Sequence, residues 1–419
     1  MALSAEIRDF LREEAQRRFL DYVKVHTTSD EDSGKHPSAE RQRELGKLLK
    51  GQLTELGLKD VELDEHCYVY ATLPGSKGAG TTSVSFIAHL DTSPAVSGEN
   101  VKPMLRQKYD GGVLRFPDDP ELTVDPADCP ALKSHVGDTL ITASGKTLLG
   151  ADDKAGIAEI MAGLAALQRW PELERPELRI CFTPDEEIGE GTAKIRLEKL
   201  GKVGYTFDGS IQGELEDECF DACSAKLKFT GLSVHPGMAK DKMINAAALA
   251  ARFVSLLPEW ATPEHTELRE GFFHLTRMSG NESEAELQFI VRDFDRQKNA
   301  VKTALLEKLR DFMLARHPGL KIQLEIKEQY HNMKEALDTR PEVVEMARKA
   351  IEQTGIALHR NAIRGGTDGA KLSFMGVPTP NIFAGGVLFH SRKEWIGVSS
   401  LQKAGEVLVH LCQLWARAK

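Results

Sequence analysis

Three times along this chain a short, compact, mostly apolar run ends in acid or histidine, and that device constrains the fold more than any other feature of the sequence. Val84-Ser-Phe-Ile-Ala-His89 runs into Leu90-Asp91, Leu178 to Phe182 leads to Asp185-Glu186-Glu187, and Tyr205 to Asp208 repeats the arrangement less clearly. Apolar runs of this length without alternation suit strands buried on both faces, as in a parallel sheet covered by helices. Polar side chains delivered to the carboxyl ends of successive strands are the usual site geometry of an open α/β sheet. The clearest covering helix starts near Asp153, where Ile157, Ile160, Met161, Leu164 and Leu167 recur at helical spacing, and it ends before Pro171. Aspartates at its start also favour the positive end of the helix dipole, so a structural role alone would account for Asp152 and Asp153 taken by themselves.

Between about Glu216 and Tyr330 the pattern changes. Leu227 and Phe229 alternate with lysines, an alanine-rich helix is expected from about Asn245 to Leu257, and Leu287 to Val291 alternates again. A further helix is expected to bury Val301, Leu305, Leu309 and Phe312 on one face, and Ile322, Leu324 and Ile326 read as a half-buried strand. This order, β-α-β-β-α-β, forms a self-contained α+β layer. After about residue 331 the helix and strand alternation returns, with a helix opening at Pro341 and an apolar strand at Pro380 to Phe383. The expected organisation is therefore a first domain in two parts, 1–215 and 331–419, interrupted by an inserted α+β domain at 216–330. Asp30 to Pro37 and Gly75 to Gly80 read as polar surface loops.

A chain of 419 residues is long enough for two such domains. Its formal charge of -9 argues against a nucleic-acid or anionic-membrane partner. No stretch approaches the ~20 apolar residues of a membrane span. The N-terminus lacks a secretory apolar core, and the six cysteines show no Cys-x-x-Cys pair, so a cytoplasmic location is expected.

The acid and histidine fragments carry the chemistry. His89, Asp152, Glu187, Asp208 and His390 offer five hard oxygen and imidazole ligands, enough for a pair of zinc ions if one carboxylate bridges, and Asp152 is the candidate bridge. Residues two apart on a strand share a side, so Asp91 can reach the ring of His89 and fix its tautomer. Of the adjacent glutamates one can bind metal while the other, free, serves as general base. Each fragment alone is commonplace: a buried histidine with a hydrogen bond is commoner than a ligand, and Glu-Glu pairs are usually solvated. Their order, spacing and strand-end placement agree, and this agreement carries the inference.

Longer blocks extend it. Thr147-Leu-Leu-Gly-Ala-Asp-Asp-Lys-Ala-Gly156, Phe182-Thr-Pro-Asp-Glu-Glu-Ile-Gly189, Val234-His-Pro-Gly237, Ile290-Val-Arg-Asp-Phe-Asp-Arg296 and Arg364-Gly-Gly-Thr-Asp-Gly369 resemble the co-catalytic zinc peptidases. That family includes acetylornithine deacetylase and succinyl-diaminopimelate desuccinylase, and the similarity, which is nearest to its tripeptide aminopeptidases, runs over nearly the whole chain. The resemblance implies a dizinc aminopeptidase-like α/β catalytic domain with an inserted α+β lid. It implies that His89, Asp152 and Asp208 hold one Zn2+, that Glu187, His390 and the shared Asp152 hold the other, that Asp91 supports His89 and that Glu186 is the general base. The Asp152-Asp153 peptide is expected to be cis. Two blocks depart from the family pattern: Phe389-His-Ser-Arg-Lys-Glu-Trp395 lacks a second histidine, and Phe207-Asp-Gly-Ser210 replaces Val-Asp-Gly-Gly, but both keep the ligand.

The same resemblance implies substrate contacts from His235 and Arg292 in the inserted domain and from Arg364 in the catalytic one. An arginine fork suits the carboxylate of a small peptide substrate, and a histidine donor can polarise the scissile carbonyl. Release of the N-terminal residue from tripeptides is the implied activity; another amide substrate, or a binding protein that retains the fold without the chemistry, are the competing readings. In related enzymes the inserted domains often pair, so the resemblance also allows a homodimer.

Overall fold

The computed structural model describes residues 3–418. Ser4 opens the chain's first helix, α1 (Ala5–Tyr22), its hydroxyl accepting from the N–H of Ile7. α2 (Gln42–Glu55) leads into a hairpin of β1 (Lys59–Leu63) and β2 (Val69–Leu73), followed by β3 (Val84–His89), which is buried at every position. The long helix α3 (Ala151–Arg169) comes next, then β4 (Leu178–Thr183), β5 (Val203–Gly209) and β6 (Glu214–Cys219). After β6 the chain forms β7 (Asp221–Thr230), α4 (Ala246–Ser255), β8 (Phe272–Gly280), β9 (Glu284–Asp293), α5 (Arg296–Arg316) and β10 (Lys321–Tyr330). It ends with α6 (Pro341–Gln353), β11 (His359–Ile363), α7 (Asp368–Phe374), β12 (Asn381–Phe383) and α8 (Val398–Arg417).

Two compact units result. The first comprises the described residues up to Asp217, Glu335–Asn361 and those from Thr367 onward; the second comprises Glu218–Lys334 and Ala362–Gly366. The first unit is built on an eight-stranded sheet in the order β1-β2-β4-β3-β5-β12-β6-β11. Its centre, β4-β3-β5-β12, is parallel, and antiparallel strands flank it. The chain passes from β3 through α3 to β4 on one side, then returns to β5 on the other side of β3. That reversal opens a crevice at the carboxyl ends of the central strands.

α3 lies against this sheet with every residue from Asp153 to Leu167 buried. Gly156 permits the close approach, because a Cβ there would sit 1.9 Å from the carbonyl oxygen of Phe207 in β5. α8 packs on the same helix, and a Cβ at Gly163 would meet Leu408 at 2.6 Å. A smaller sheet places Gly386–Val387, Trp395–Gly397, Leu140–Thr142 and Met104–Arg106 side by side. Trp395 pairs with Thr142 and Gly397 with Leu140, which brings the hairpin around His390 beside the strand that leads toward Asp152.

The second unit is a four-stranded antiparallel sheet, β8-β9-β7-β10, with α4 and α5 on one face. α5 is turned differently from the sequence expectation. Leu306 and Met313, seven residues apart, are its buried apolar side chains and Leu305 and Leu309 are half-buried, whereas Val301 and Phe312 lie 70% and 53% exposed. The short segment 362–366 also belongs to this unit: Gly366 packs so closely on Tyr330 that a Cβ would meet the ring at 2.4 Å. Among the described residues no helix is long and apolar enough to cross a membrane.

Candidate active site

His89 ends β3 buried, 2% exposed. Its Nδ1 lies 3.1 Å from the carbonyl oxygen of Asp91 and 3.3 Å from that residue's Oδ1, so the ring's second nitrogen is turned toward the crevice. There Nε2 sits 2.8 Å from Asp152 Oδ1 and 3.6 Å from Asp208 Oδ1. Asp91 also holds the neighbouring backbone, since its Oδ1 and Oδ2 accept the N–H groups of Glu186 and Glu187 at 3.0 and 3.2 Å. One buried carboxylate thus ties the end of β3 to the turn after β4.

Asp152 and Asp153 stand at the head of α3 but are not helical there. Asp152 has φ -81°, ψ 106°, Asp153 has φ -119°, ψ 33°, and the peptide between them is cis. This irregular turn aims Asp152 at the crevice, with Oδ1 toward His89 and Oδ2 3.0 Å from His390 Nε2. Asp153 is directed away. Its Oδ2 accepts the N–H of His89 at 3.0 Å and its Oδ1 that of Gly156 at 3.2 Å, so two backbone amides already fill a carboxylate to which the sequence assigned no catalytic part.

The acidic turn after β4 is held as firmly. Asp185 has a left-handed backbone, φ 59°, and its buried carboxylate accepts the N–H and the hydroxyl of Ser38 and the amide of Gln42. Gln42 Oε1 in turn accepts the N–H of Asp185 at 3.2 Å. The stretch 36–38 therefore acts as a structural peg where the sequence suggested only a polar surface loop; Pro37 and Ser38 are buried. Glu187 projects into the crevice with Oε2 2.9 Å from His390 Nε2, whereas the Glu186 carboxylate makes no hydrogen bond among the described residues.

The side chains of His89, Asp152, Glu187, Asp208 and His390 thus come together, with Asp91 and Glu186 beside them. Ligand atoms of His89, Asp152 and Glu187 lie within 4.8 Å of one another, as do those of His89, Asp153 and Asp208. Electrostatically the cluster calls for positive charge. Burial pushes Glu187 up to about 8 with Asp152 adding repulsion, and burial lifts Asp208 to about 6 against the pull of His89. Burial, then repulsion from Asp208, raises Glu186. Asp152 moves the other way: burial raises it, but hydrogen bonds from His390 and His89 outweigh this and hold it low. His390 is pushed up to about 11 by Asp152 and Glu187. Buried Glu187 Oε1 has no hydrogen-bond partner, which is a costly state for a carboxylate oxygen unless a cation meets it. The donor set fits zinc or a similar divalent ion.

The three residues expected at the substrate belong to the second unit. His235 is exposed, its Nδ1 accepting the N–H of Gly237 at 3.2 Å. Arg292 is buried, its Nη1 donating to the carbonyls of Cys223 and Val291 and its guanidinium 5.5 Å from the Tyr330 ring centre. Arg364, assigned by the sequence to the catalytic domain, lies in this unit instead. Its guanidinium donates to the carbonyls of Thr266, Leu268 and Glu270 and to the Thr266 hydroxyl, and it stacks on Phe220 and Phe272. The strand segment 362–363 and the tight Gly366 contact carry it there.

Comparison with known proteins agrees with this architecture. The profile of "Peptidase family M20/M25/M40" matches residues 148–414, and the chain belongs to that peptidase family. Within it, close curated relatives carry the name peptidase T. That of Halothermothrix orenii is 45% identical over 95% of this chain and 98% of its own length, and that of Parabacteroides distasonis 46% identical over 96% and 98%. Among solved structures, a tripeptidase of Staphylococcus aureus superposes with TM-score 0.77 at 20% identity, covering 97% of this chain and 99% of the other. The aminopeptidase PepT of Bacillus cereus gives 0.76 at 22%, with the same coverage.

Proposed function

We propose that the chain is a dizinc aminopeptidase that releases the N-terminal residue from tripeptides. The observation that carries this reading is the use of Asp152: Oδ1 lies 2.8 Å from His89 Nε2, which is 3.6 Å from Asp208, and Oδ2 lies 3.0 Å from His390 Nε2, which is 2.9 Å from Glu187, so its two oxygens serve the two histidines that would each hold an ion. In this reading His89, Asp152 and Asp208 would hold one zinc, and Asp152, Glu187 and His390 the other. Bound zinc would supply Lewis-acid polarisation of the scissile carbonyl and a lowered pKa for attacking water.

The chain's own residues do the rest. Asp91 holds the His89 ring with Nε2 forward and at the same time anchors the backbone of Glu186 and Glu187, so ligand and base are set by one group. Glu186, whose carboxylate no described residue engages in a hydrogen bond, is placed to take a proton from water and return it to the leaving amine. The chemical class of the substrate follows from the peptidase family and from the tripeptidase and peptidase T names of its relatives. His235 is assigned to the scissile carbonyl and Arg292 to the peptide's terminal carboxylate. Arg364, with its donors committed to backbone carbonyls, supports its own unit and stands second to Arg292 as a carboxylate partner.

Metal analysis by mass spectrometry, paired with hydrolysis of a free tripeptide, its C-terminal amide, a dipeptide and an N-acetylated tripeptide, tests the reading. Two zinc ions per chain, loss of activity in chelator with recovery on added zinc, and preference for the free tripeptide are expected. Faster cleavage of the N-acetylated peptide would identify a deacylase instead, and equal kcat/KM for acid and amide would remove the carboxylate role of Arg292.

A further inference from the structure

We propose that Glu394 is a positioning residue: it fixes the carboxylate of Asp152 against His390 by gathering the backbone amides of the Asp152 turn onto the hairpin that carries His390. The inference rests on the assignment of Asp152 and His390 as metal ligands.

Glu394 is a buried acid, 1% exposed, and both its oxygens are filled by main-chain donors. Oε2 accepts the N–H groups of Leu149 and Gly150 at 2.7 and 2.8 Å, and Oε1 accepts those of Ala151 and Asp152 at 2.7 and 3.2 Å. Successive amides that converge on one anion form a nest, normally a site for phosphate or another external anion. Here the anion is a side chain of the same protein. The turn needs it: Gly150 is left-handed at φ 85° and Asp152 and Asp153 are non-helical, so no helical or strand acceptor meets these donors. A buried amide without a partner is costly, and a turn with several would rearrange.

Glu394 lies four residues beyond His390, inside the hairpin between Gly386–Val387 and Trp395–Gly397. His390 itself has a left-handed backbone, φ 55°, so its direction depends on that hairpin staying fixed. The clamp therefore joins the two segments whose side chains must meet, Asp152 Oδ2 and His390 Nε2, now 3.0 Å apart. With four amides on its two oxygens, Glu394 has no lone pair directed at substrate or metal and takes no part in proton transfer. Its effect passes through Asp152.

Glu394→Gln keeps the shape but turns an NH2 group toward two of the amides. The experiment is zinc titration of the metal-stripped full chain, against a competing chelator, for the native protein, Glu394→Gln and Glu159→Gln. Glu159 serves as control because it lies on α3, the helix that begins at the Asp152 turn, is fully buried and has both carboxylate oxygens without a hydrogen-bond partner. Zinc affinity in Glu394→Gln is expected to fall about 10–100-fold, as for groups that orient ligands, with far-UV circular dichroism unchanged and Glu159→Gln binding as the native chain does. Native affinity in Glu394→Gln, whatever its melting temperature, would overturn the inference, as would an equal loss in Glu159→Gln, which would mark a general consequence of disturbing α3. If Glu394→Gln yields no folded protein, Glu394→Asp, which keeps the charge but shortens the reach, carries the same expectation. A native chain that binds no zinc would instead overturn the ligand assignment on which this rests.

Discussion

Glu186 and Glu187 are neighbours in sequence with opposite roles, and their surroundings make the difference. Glu187 meets His390 at 2.9 Å, whereas the Glu186 carboxylate forms no hydrogen bond among the described residues. Glu186→Gln is therefore expected to retain both metals, read by mass spectrometry, while kcat falls about 10²–10⁴-fold, the usual contribution of a general base. Parallel loss of metal and activity would make Glu186 a ligand. At this scale the sequence was informative about residues whose chemistry is written in their side chains: His89, Asp152, Glu187, Asp208 and His390 do converge. It assigned no partner to Glu394 or Asp185, and to Asp153 only the structural place at a helix start that the helix dipole favours. Those acids bind mostly backbone amides or a distant serine and glutamine, and which amides lack partners is decided only when the turns have formed.

Among the elements, α3 and β5 depend most on each other. Gly156 lets the helix approach until the Phe207 carbonyl would stand 1.9 Å from an added Cβ, with Asp153 Oδ1 at 2.5 Å. Because one of these atoms is backbone, no side-chain rotation relieves the clash. Gly156→Ala must lift the helix from the strand, and with it Asp152 from Asp208. Urea unfolding should show a loss of about 1–3 kcal/mol from overpacking, outweighing the ~1 kcal/mol gained by replacing a mid-helix glycine; stability equal to or above that of the native chain would refute the account. The apolar runs of β3 and β4 were legible because strands buried on both faces need no alternation. α5 was misjudged for a physical reason: a helix with apolar residues at Val301, Leu305, Leu306, Leu309, Phe312 and Met313 offers more than one apolar face, and the sheet selects the one through Leu306 and Met313.

At the scale of the whole molecule the sequence expectation was a chain that leaves its first unit after 215 and returns at 331, with no sign that 362–366 would join the second; that placement depends on the fit of Gly366 to Tyr330, a contact between distant segments. Stability against acid is likewise a property of the whole first unit. His410, in α8, is buried with no exposed surface, and burial pushes its pKa down to about 4. In the unfolded chain a histidine titrates near 6.5. The unfolded state therefore binds the extra proton first, and the stability associated with neutral His410 is full above pH 6.5 and is lost as pH falls toward 4. The difference amounts to about 2–3 kcal/mol between pH 7 and 4.5. Replacing His410 with leucine should flatten the acid limb by that amount, whatever offset the substitution causes at pH 7. Urea unfolding of metal-free protein at the two pH values measures it without competition between protons and zinc for the ligands. Identical slopes in both chains would place the acid sensitivity elsewhere.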